Sequence, residues 1–319
     1  MMSELHNKPN LNQQINQIVQ ELKGKPYDSL SFSSRYGIIM DPIYSEGLEA
    51  VSVSPTLPYR LNFQLVYLDC NDLTALNQEI LDALQNGISG LILDFENTNW
   101  DQADLQVIFK DVELKYLHIV VRKNASPASF IAYVTEFHPN IDPKTLCLDG
   151  HNSFSRTIAI SDEHFAEDCA VVLRMAQSES IRLFVFIELS GDYFWDISKI
   201  RAFKILLSNT MAKMDNGSHA ILIGDCFNSS RNATSKENSL IGLTTKAMAG
   251  MISCCDGLWI QNLVHHNEKP SLFDQRISRN IFNILKEESY LDYVHDAGSG
   301  SYFIENYTKK IAQIIYDKL

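Results

Sequence analysis

Acidic side chains follow several short apolar runs of the sequence, and this position suits them for acid–base chemistry. If the runs are parallel strands, their carboxyl ends meet at one mouth, where barrel enzymes hold their catalytic groups. The pattern alone fits a hydrolase, a lyase or an aldolase. The mouth residues predicted in this way are Asp69, Asp94, Asp149, Asp162, Glu188, Asp225 and Gln261.

The same acids have a more common structural role, because Asp, Asn or Ser after a strand often caps the next helix. The candidates for such caps are Asn71 or Asp72, Asn99 or Asp101, and Ser161 or Asp162. For any one of these acids, capping is therefore favoured over catalysis.

Histidine and cysteine spacing predicts no metal site. The six cysteines show no CxxC spacing and have mostly apolar neighbours, which indicates buried thiols and argues against both a zinc site and a disulfide framework. His265 and His266 are adjacent and therefore point in different directions, so we expect them to be solvated.

The elements that position these residues are read from apolar periodicity after residue 60. Amphipathic stretches over 76–84, 130–137 and 165–175 separate the apolar runs and predict helices. Regular alternation of strand and helix implies a parallel sheet, and eight units in about two hundred residues favour a (β/α)₈ TIM barrel. A doubly wound open sheet is the alternative, because periodicity does not show closure. The predicted strands cover residues 63–68, 90–93, 117–121, 146–148, 157–160, 183–187, 220–223 and 258–260.

The first part of the chain has a different pattern. An apolar stripe on residues 11–22 predicts an amphipathic helix that ends before Gly24 and Pro26, and residues 27–44 are short and rich in turn formers. We therefore divide the chain into an N-terminal helix and extended arm over 1–60, and a barrel domain with C-terminal helices over 61–319. The arm packs on its own domain or reaches a partner, and the pattern does not distinguish the two.

Composition excludes several classes of partner. The chain of 319 residues is 45% hydrophobic and 21% charged, with a net charge of −12. Such a charge repels nucleic acid and anionic membranes. The N-terminus has no secretory signal pattern and no apolar run is long enough to span a bilayer, so we expect a soluble, cytoplasmic protein.

Five blocks of sequence resemble one family in the same order. The C-terminal blocks are 238–249, Arg276-Ile-Ser-Arg-Asn, Glu287-Glu-Ser and Gly298-Ser-Gly-Ser-Tyr-Phe-Ile-Glu, and an earlier block is Asp192-Tyr-Phe-Trp-Asp-Ile-Ser-Lys-Ile-Arg-Ala. Residues 18–44 also resemble the N-terminal arm of small subunits of that family. The family is that of the methylmalonyl-CoA mutases, and the resemblance is to their substrate-binding barrel.

Departures from the family pattern determine the expected role. The sequence ends at Leu319, where catalytic large subunits continue into a cobalamin-binding domain, and Asp149-Gly-His151 lacks the glycine of the family's cobalt-ligating loop. Gly257-Leu-Trp-Ile-Gln stands where catalytic subunits have Ser-Leu-His-Thr-Asn. The resemblance thus implies a non-catalytic small subunit of a heterodimeric mutase, with no cofactor on this chain and adenosylcobalamin on the large subunit.

The resemblance assigns a possible catalytic role to one residue, His164. Residues 158–167 line up with a family segment whose imidazole contacts the thioester carbonyl, which places His164 at that position, although a solvated histidine at a helix start is more common.

Two other hypotheses stay open. One is an independent barrel protein that binds or processes an acyl-CoA or other small molecule at the mouth, and the other is a homodimer formed through the N-terminal arm.

Overall fold

The computed structural model describes most of the chain. The described residues are 10–44, 53, 61–67, 72–94, 100–122, 127–142, 145–148, 155–178, 182–214, 219–226, 235–262 and 271–319.

Eight parallel strands form a nearly closed barrel, as the alternating pattern predicted. In chain order the barrel strands are β3 (Leu61–Tyr67), β4 (Gly90–Asp94), β5 (His118–Arg122), β6 (Leu146–Leu148), β7 (Ser155–Ile160), β8 (Arg182–Glu188), β9 (His219–Cys226) and β10 (Gly257–Ile260). Hydrogen bonding runs in the order β6-β5-β4-β3-β10-β9-β8-β7. The two end strands of this ladder also come together, because Cys147 Sγ of β6 lies 3.3 Å from Thr157 Oγ1 of β7. The (β/α)₈ prediction is confirmed, and the alternative of an open sheet is wrong.

Helices follow most of the strands and cover the outside of the barrel. Asp72 caps one of them by accepting from the amides of Thr74 and Ala75, and Asp101 caps the next with a reciprocal bond to Asp104, so capping is confirmed for both acids. No described helix has the length and apolar character needed to cross a membrane. The helices are α1 (Leu11–Glu21), α2 (Leu73–Gln85), α3 (Gln102–Ile108), α4 (Pro127–Phe137), α5 (Phe165–Ser178), α6 (Tyr193–Met214), α7 (Lys236–Ile252), α8 (Leu272–Asn283) and α9 (Tyr302–Tyr316).

Large side chains fill the centre of the barrel. Because alternate strand residues face opposite sides of a sheet, one set of apolar side chains points inward and the other packs against the helices. The inward set forms a separate buried cluster that includes Phe63, Phe184, Phe186 and Trp259. Phe186 and Trp259 pack edge to face, with ring centroids 5.9 Å apart. Phe154 and Phe227, which we also expected near the strand ends, lie outside the described residues.

The arm packs on its own barrel domain over residues 32–44. Its hairpin, which we define as β1 (Phe32–Ser33), β2 (Ile39–Met40) and the turn between them, is antiparallel. Ile38 and Met40 are buried in the core formed with the helices. Lys310 Nζ of α9 donates to the backbone oxygen of Ile39 at 2.7 Å. The hairpin therefore belongs to the barrel domain, whereas α1, which precedes it, buries none of its residues.

Polar side chains occupy the N-terminal end of the barrel. His118 begins β5 and alternates with the inward-facing Val120, so its ring points into the barrel. It is only 4% exposed, and its Nδ1 has no hydrogen-bond partner. Burial lowers the pKa of His118 to about 4, with a further lowering by the nearby His219 and an opposing effect of Asp142. The folded protein thus holds this imidazole neutral.

This buried imidazole predicts a loss of stability in acid. As pH falls through about 6.5, the unfolded chain binds a proton at His118 that the folded protein does not bind until about pH 4. The free energy of unfolding should therefore fall in this window, and by pH 4.5 this histidine should contribute about 2 kcal/mol to the loss. Urea denaturation of the wild type and His118→Gln between pH 7.5 and 4.5 measures the difference. Parallel stability curves would contradict the assignment.

Candidate functional site

Four of the predicted mouth residues come together at the C-terminal ends of β7 to β10. Glu188 of β8 lies opposite Asp225 of β9 in the strand register. Gln261 Nε2 donates to Asp225 Oδ1 at 3.0 Å, and the backbone amide of Asp162 donates to Glu188 Oε2 at 3.1 Å. Each of these polar groups is therefore bonded to a neighbour at the mouth.

The remaining predicted mouth residues are less completely described. Asp94 ends β4 opposite Arg122 of β5 in the strand register. The side chain of Asp94 lies outside the described residues, as do Asp69 and Asp149 entirely, together with His151, His265 and His266. The structure thus places one further mouth residue at a strand end and leaves two untested.

Asp162 is held in a buried ion pair and does not cap a helix. Its Oδ1 accepts from Trp195 Nε1 at 2.9 Å and from Lys199 Nζ at 2.6 Å, and the guanidinium of Arg35 in the hairpin pairs with Oδ2. The neighbouring Ser161 hydroxyl accepts from the backbone amide of His164 at 3.1 Å, as a capping side chain does. The capping role considered for Asp162 is therefore wrong, because the carboxylate turns inward to two cations.

Lys199 is the centre of this ion pair. Its side chain is fully buried, and Nζ contacts Asp162 Oδ1, Asp196 Oδ1 at 2.7 Å and the backbone oxygen of Glu188 at 2.7 Å. Asp196 also accepts from the Ser190 and Gly191 amides. The Lys199 ammonium has three acceptors and no exposed surface, so it serves as a structural cation that holds these acceptors together.

Two more buried cations follow on the same helix. The guanidinium of Arg201 is paired with Asp296 through two bonds of 2.9 Å and with Glu305 at 3.0 Å. Lys204 Nζ donates to Asp256 Oδ1 at 3.0 Å and to the backbone oxygen of Cys254 at 2.8 Å. We call Lys199, Arg201 and Lys204 the α6 cation row. Apolar periodicity gave no sign of this row, although the Lys-Ile-Arg-Ala segment of the family resemblance contains its first two members.

The hairpin closes over the first member of the row. The Tyr36 ring stacks on Trp195, with centroids 5.9 Å apart, and its hydroxyl accepts from the Ala166 amide at 3.2 Å. Trp195 in turn bonds to Asp162. The hairpin thus supplies a cation, an aromatic ring and a hydroxyl to the network beside the mouth.

His164 lies in the exposed turn between β7 and α5. Its backbone amide is bonded to Ser161, and its backbone oxygen accepts from the Asp168 amide. The imidazole lies close enough to Glu167 to lower the pKa of that carboxyl, after the larger effect of the hydrogen bond from Lys318. A thioester contact by His164 stays a prediction.

The described polar groups at the mouth are engaged in structural hydrogen bonds and ion pairs, which favours a structural role over proton transfer. The carboxylates of the mouth are engaged with cations, an amide and backbone groups, and aromatic rings fill the barrel beneath them. Among the described residues no group of three or more His, Cys, Asp and Glu side chains could hold a metal ion.

These features define a (β/α)₈ barrel protein whose C-terminal half is organised by buried ion pairs. The same half matches a known family model, described as methylmalonyl-CoA mutase, over residues 170–319. Through this region, which includes α6, α9 and strands β8 to β10, the chain is similar to the methylmalonyl-CoA mutase family.

Several curated relatives carry the same name. The chain is 29% identical over 135 residues to the mitochondrial methylmalonyl-CoA mutase of Bos taurus, 27% identical over 135 residues to that of Homo sapiens, and 26% identical over 136 residues to the enzyme of Rhizobium meliloti (strain 1021). Each match covers 41% of this chain and 18% or 19% of the relative. The chain thus spans about a fifth of the length of these relatives.

The α6 cation row predicts that substitution of the buried Lys199 lowers stability far more than substitution of an exposed lysine on the same helix. Lys199→Met leaves Asp162 and Asp196 buried without their ammonium, and removal of one partner from a buried pair costs about 3–5 kcal/mol. Lys213→Met makes the same change in the exposed last turn of α6, where surface substitutions change stability by less than about 0.5 kcal/mol. Chemical denaturation measures both. Equal stability of the two variants would contradict the structural role of Lys199.

Proposed function

We propose that this chain is a non-catalytic small subunit, or a shortened homologue of one, of an adenosylcobalamin-dependent methylmalonyl-CoA mutase. In this proposal it supports a catalytic large subunit that interconverts methylmalonyl-CoA and succinyl-CoA. The observation that carries the proposal is the coincidence of two features in one region. Residues 170–319 match the mutase family, yet the polar groups at their end of the barrel are committed to one another.

A filled barrel supports a non-catalytic role. An enzyme acting on an acyl thioester needs a cavity that holds the reacting group away from water. Here Phe184, Phe186 and Trp259 occupy the barrel centre, and Trp259 is only 8% exposed. Trp259 stands where the family resemblance places a substrate-facing histidine. An indole in that position fills space and has no basic nitrogen.

The cofactor would be held by the large subunit. Adenosylcobalamin supplies the radical chemistry of such a mutase, and the protein orients the substrate and excludes water. This chain would contribute a rigid surface for association, because the α6 cation row fixes the helices of its C-terminal half. The proposed location is the cytoplasm, where both subunits would meet.

The proposal predicts association without a catalytic contribution from the mouth. The tagged chain, co-expressed with the mutase large subunit of its own source, should co-purify as a one-to-one complex. Asp225→Asn removes a mouth charge while keeping the shape of the side chain, and we expect the mutase activity of the complex to stay within about twofold. Co-purification with quantitative mass analysis and a mutase assay provide the two readouts.

A matched measurement on the isolated chain tests the independent-barrel alternative. Calorimetric titration with methylmalonyl-CoA, succinyl-CoA and free coenzyme A should show no saturable binding. If the chain ignores the large subunit and binds an acyl-CoA with an affinity that Asp225→Asn weakens at least tenfold, the small-subunit proposal is wrong. An independent binder or enzyme acting at the mouth then replaces it.

A further inference from the structure

A cavity of about 420 Å³ opens beside the C-terminal ends of α3 and α4, on the outside of the barrel. Helices of a (β/α)₈ barrel run back along the strands that precede them, so this end of each helix lies away from the mouth. The volume is within the range of clefts that bind small molecules. The cavity is therefore a candidate ligand site that is separate from the mouth.

Aromatic rings form the apolar part of this cavity. Phe109, Tyr133 and Phe137 all line it. The Tyr133 ring stacks on Phe109 with ring centroids 5.9 Å apart, and its centroid lies 5.4 Å from that of Phe137. Phe109 and Tyr133 are buried, whereas Phe137 is 43% exposed. The faces of aromatic rings carry partial negative charge and attract cations, including organic ammonium groups.

The charged side chains of the lining are unbalanced. Asp111 and Glu113 bring two carboxylates, and Lys110 brings one ammonium. His138 adds no positive charge at neutral pH, because burial lowers the pKa of its imidazole against the opposing effect of Glu113. The pair that Glu113 forms with Lys115, 3.3 Å apart, is exposed and therefore weak. The described lining thus has one more negative charge than positive.

The turn that carries these charges is held in place. Asn77 of α2 donates its side-chain amide to the backbone oxygens of Ile108 and Lys110, at 2.8 Å in each case. Asp111 has a left-handed backbone with a φ of 62°, which Asp adopts more readily than most residues. A site that is already ordered loses less conformational freedom when a ligand binds.

We propose that this cavity binds a small organic ammonium ion with an apolar body. Its ammonium group lies beside the carboxylates of Asp111 and Glu113, and its body packs on the aromatic rings. One such cation neutralises the excess charge of the lining, and the net charge of −12 on the chain attracts it from solution. The cavity lies outside residues 170–319, which match the mutase family, so this inference does not depend on the proposed mutase-subunit role.

NMR titration of the full chain with matched probes tests the proposal. Phenethylammonium, phenethyl alcohol and hydrocinnamate have the same ring and similar length, and they differ in charge. We expect saturable one-to-one binding of phenethylammonium with a dissociation constant on the order of 1 mM or lower. The other two probes should bind at least about tenfold more weakly. Absence of saturable phenethylammonium binding, or equal binding of either other probe, would overturn the proposal.

Substitutions test whether the ligand occupies this cavity. Asp111→Asn and Glu113→Gln each remove a carboxylate while keeping the shape of the side chain, and each should weaken phenethylammonium binding at least about fivefold. Glu136→Gln makes the same change in charge on α4 outside the lining and should bind like the wild type. All three residues are exposed, so the variants should keep the thermal transition of the wild type. Binding that both lining substitutions leave unchanged, or that Glu136→Gln weakens equally, would overturn the proposal.

Discussion

The structure depends on one constraint, which is that the three cations of the α6 cation row are buried and must each have a carboxylate. Lys199, Arg201 and Lys204 are nearly or fully inaccessible to solvent. Burying an unpaired charge is very unfavourable, so the native fold must place a carboxylate beside each of these cations. Four of the five partner carboxylates lie outside α6. The carboxylates are Asp162 after β7, Asp196 on α6, Asp256 before β10, Asp296 before α9 and Glu305 within α9.

This constraint explains the character of the mouth. Asp162 and Glu188 are placed where a barrel enzyme would hold its acids, yet Lys199 bonds to the carboxylate of one and the backbone of the other. The hairpin extends the network, because Arg35 reaches Asp162 and Tyr36 covers Trp195. Buried ion pairs specify one arrangement more surely than they add stability. Because the described polar groups at this end of the barrel bond to one another, they favour the proposed supporting role over a catalytic one.

Much of the fold and the placement of four mouth residues could be predicted from periodicity, whereas the buried ion pairs of the site could not. All eight barrel strands lie within a few residues of their predicted positions, since buried parallel strands produce distinct apolar runs. Asp72 and Asp101 were correctly predicted as candidate caps, because capping is local to the sequence. The role of Asp162 depends on Lys199, which is 37 residues away. Helix α6 buries cations among its apolar residues, so its sequence has no polar face from which burial could be read.

The division between hairpin and α1 likewise required the structure. Both are short and partly apolar in sequence, and only packing shows that Ile38 and Met40 enter the core while no residue of α1 is fully buried. The central functional claim is that this chain supports catalysis by another subunit. It is tested most directly by titrating a fixed amount of large subunit, loaded with adenosylcobalamin, with this chain while measuring succinyl-CoA formation. The account predicts activity that rises with added chain and reaches a plateau at one equivalent. Activity that is the same without the chain would contradict it.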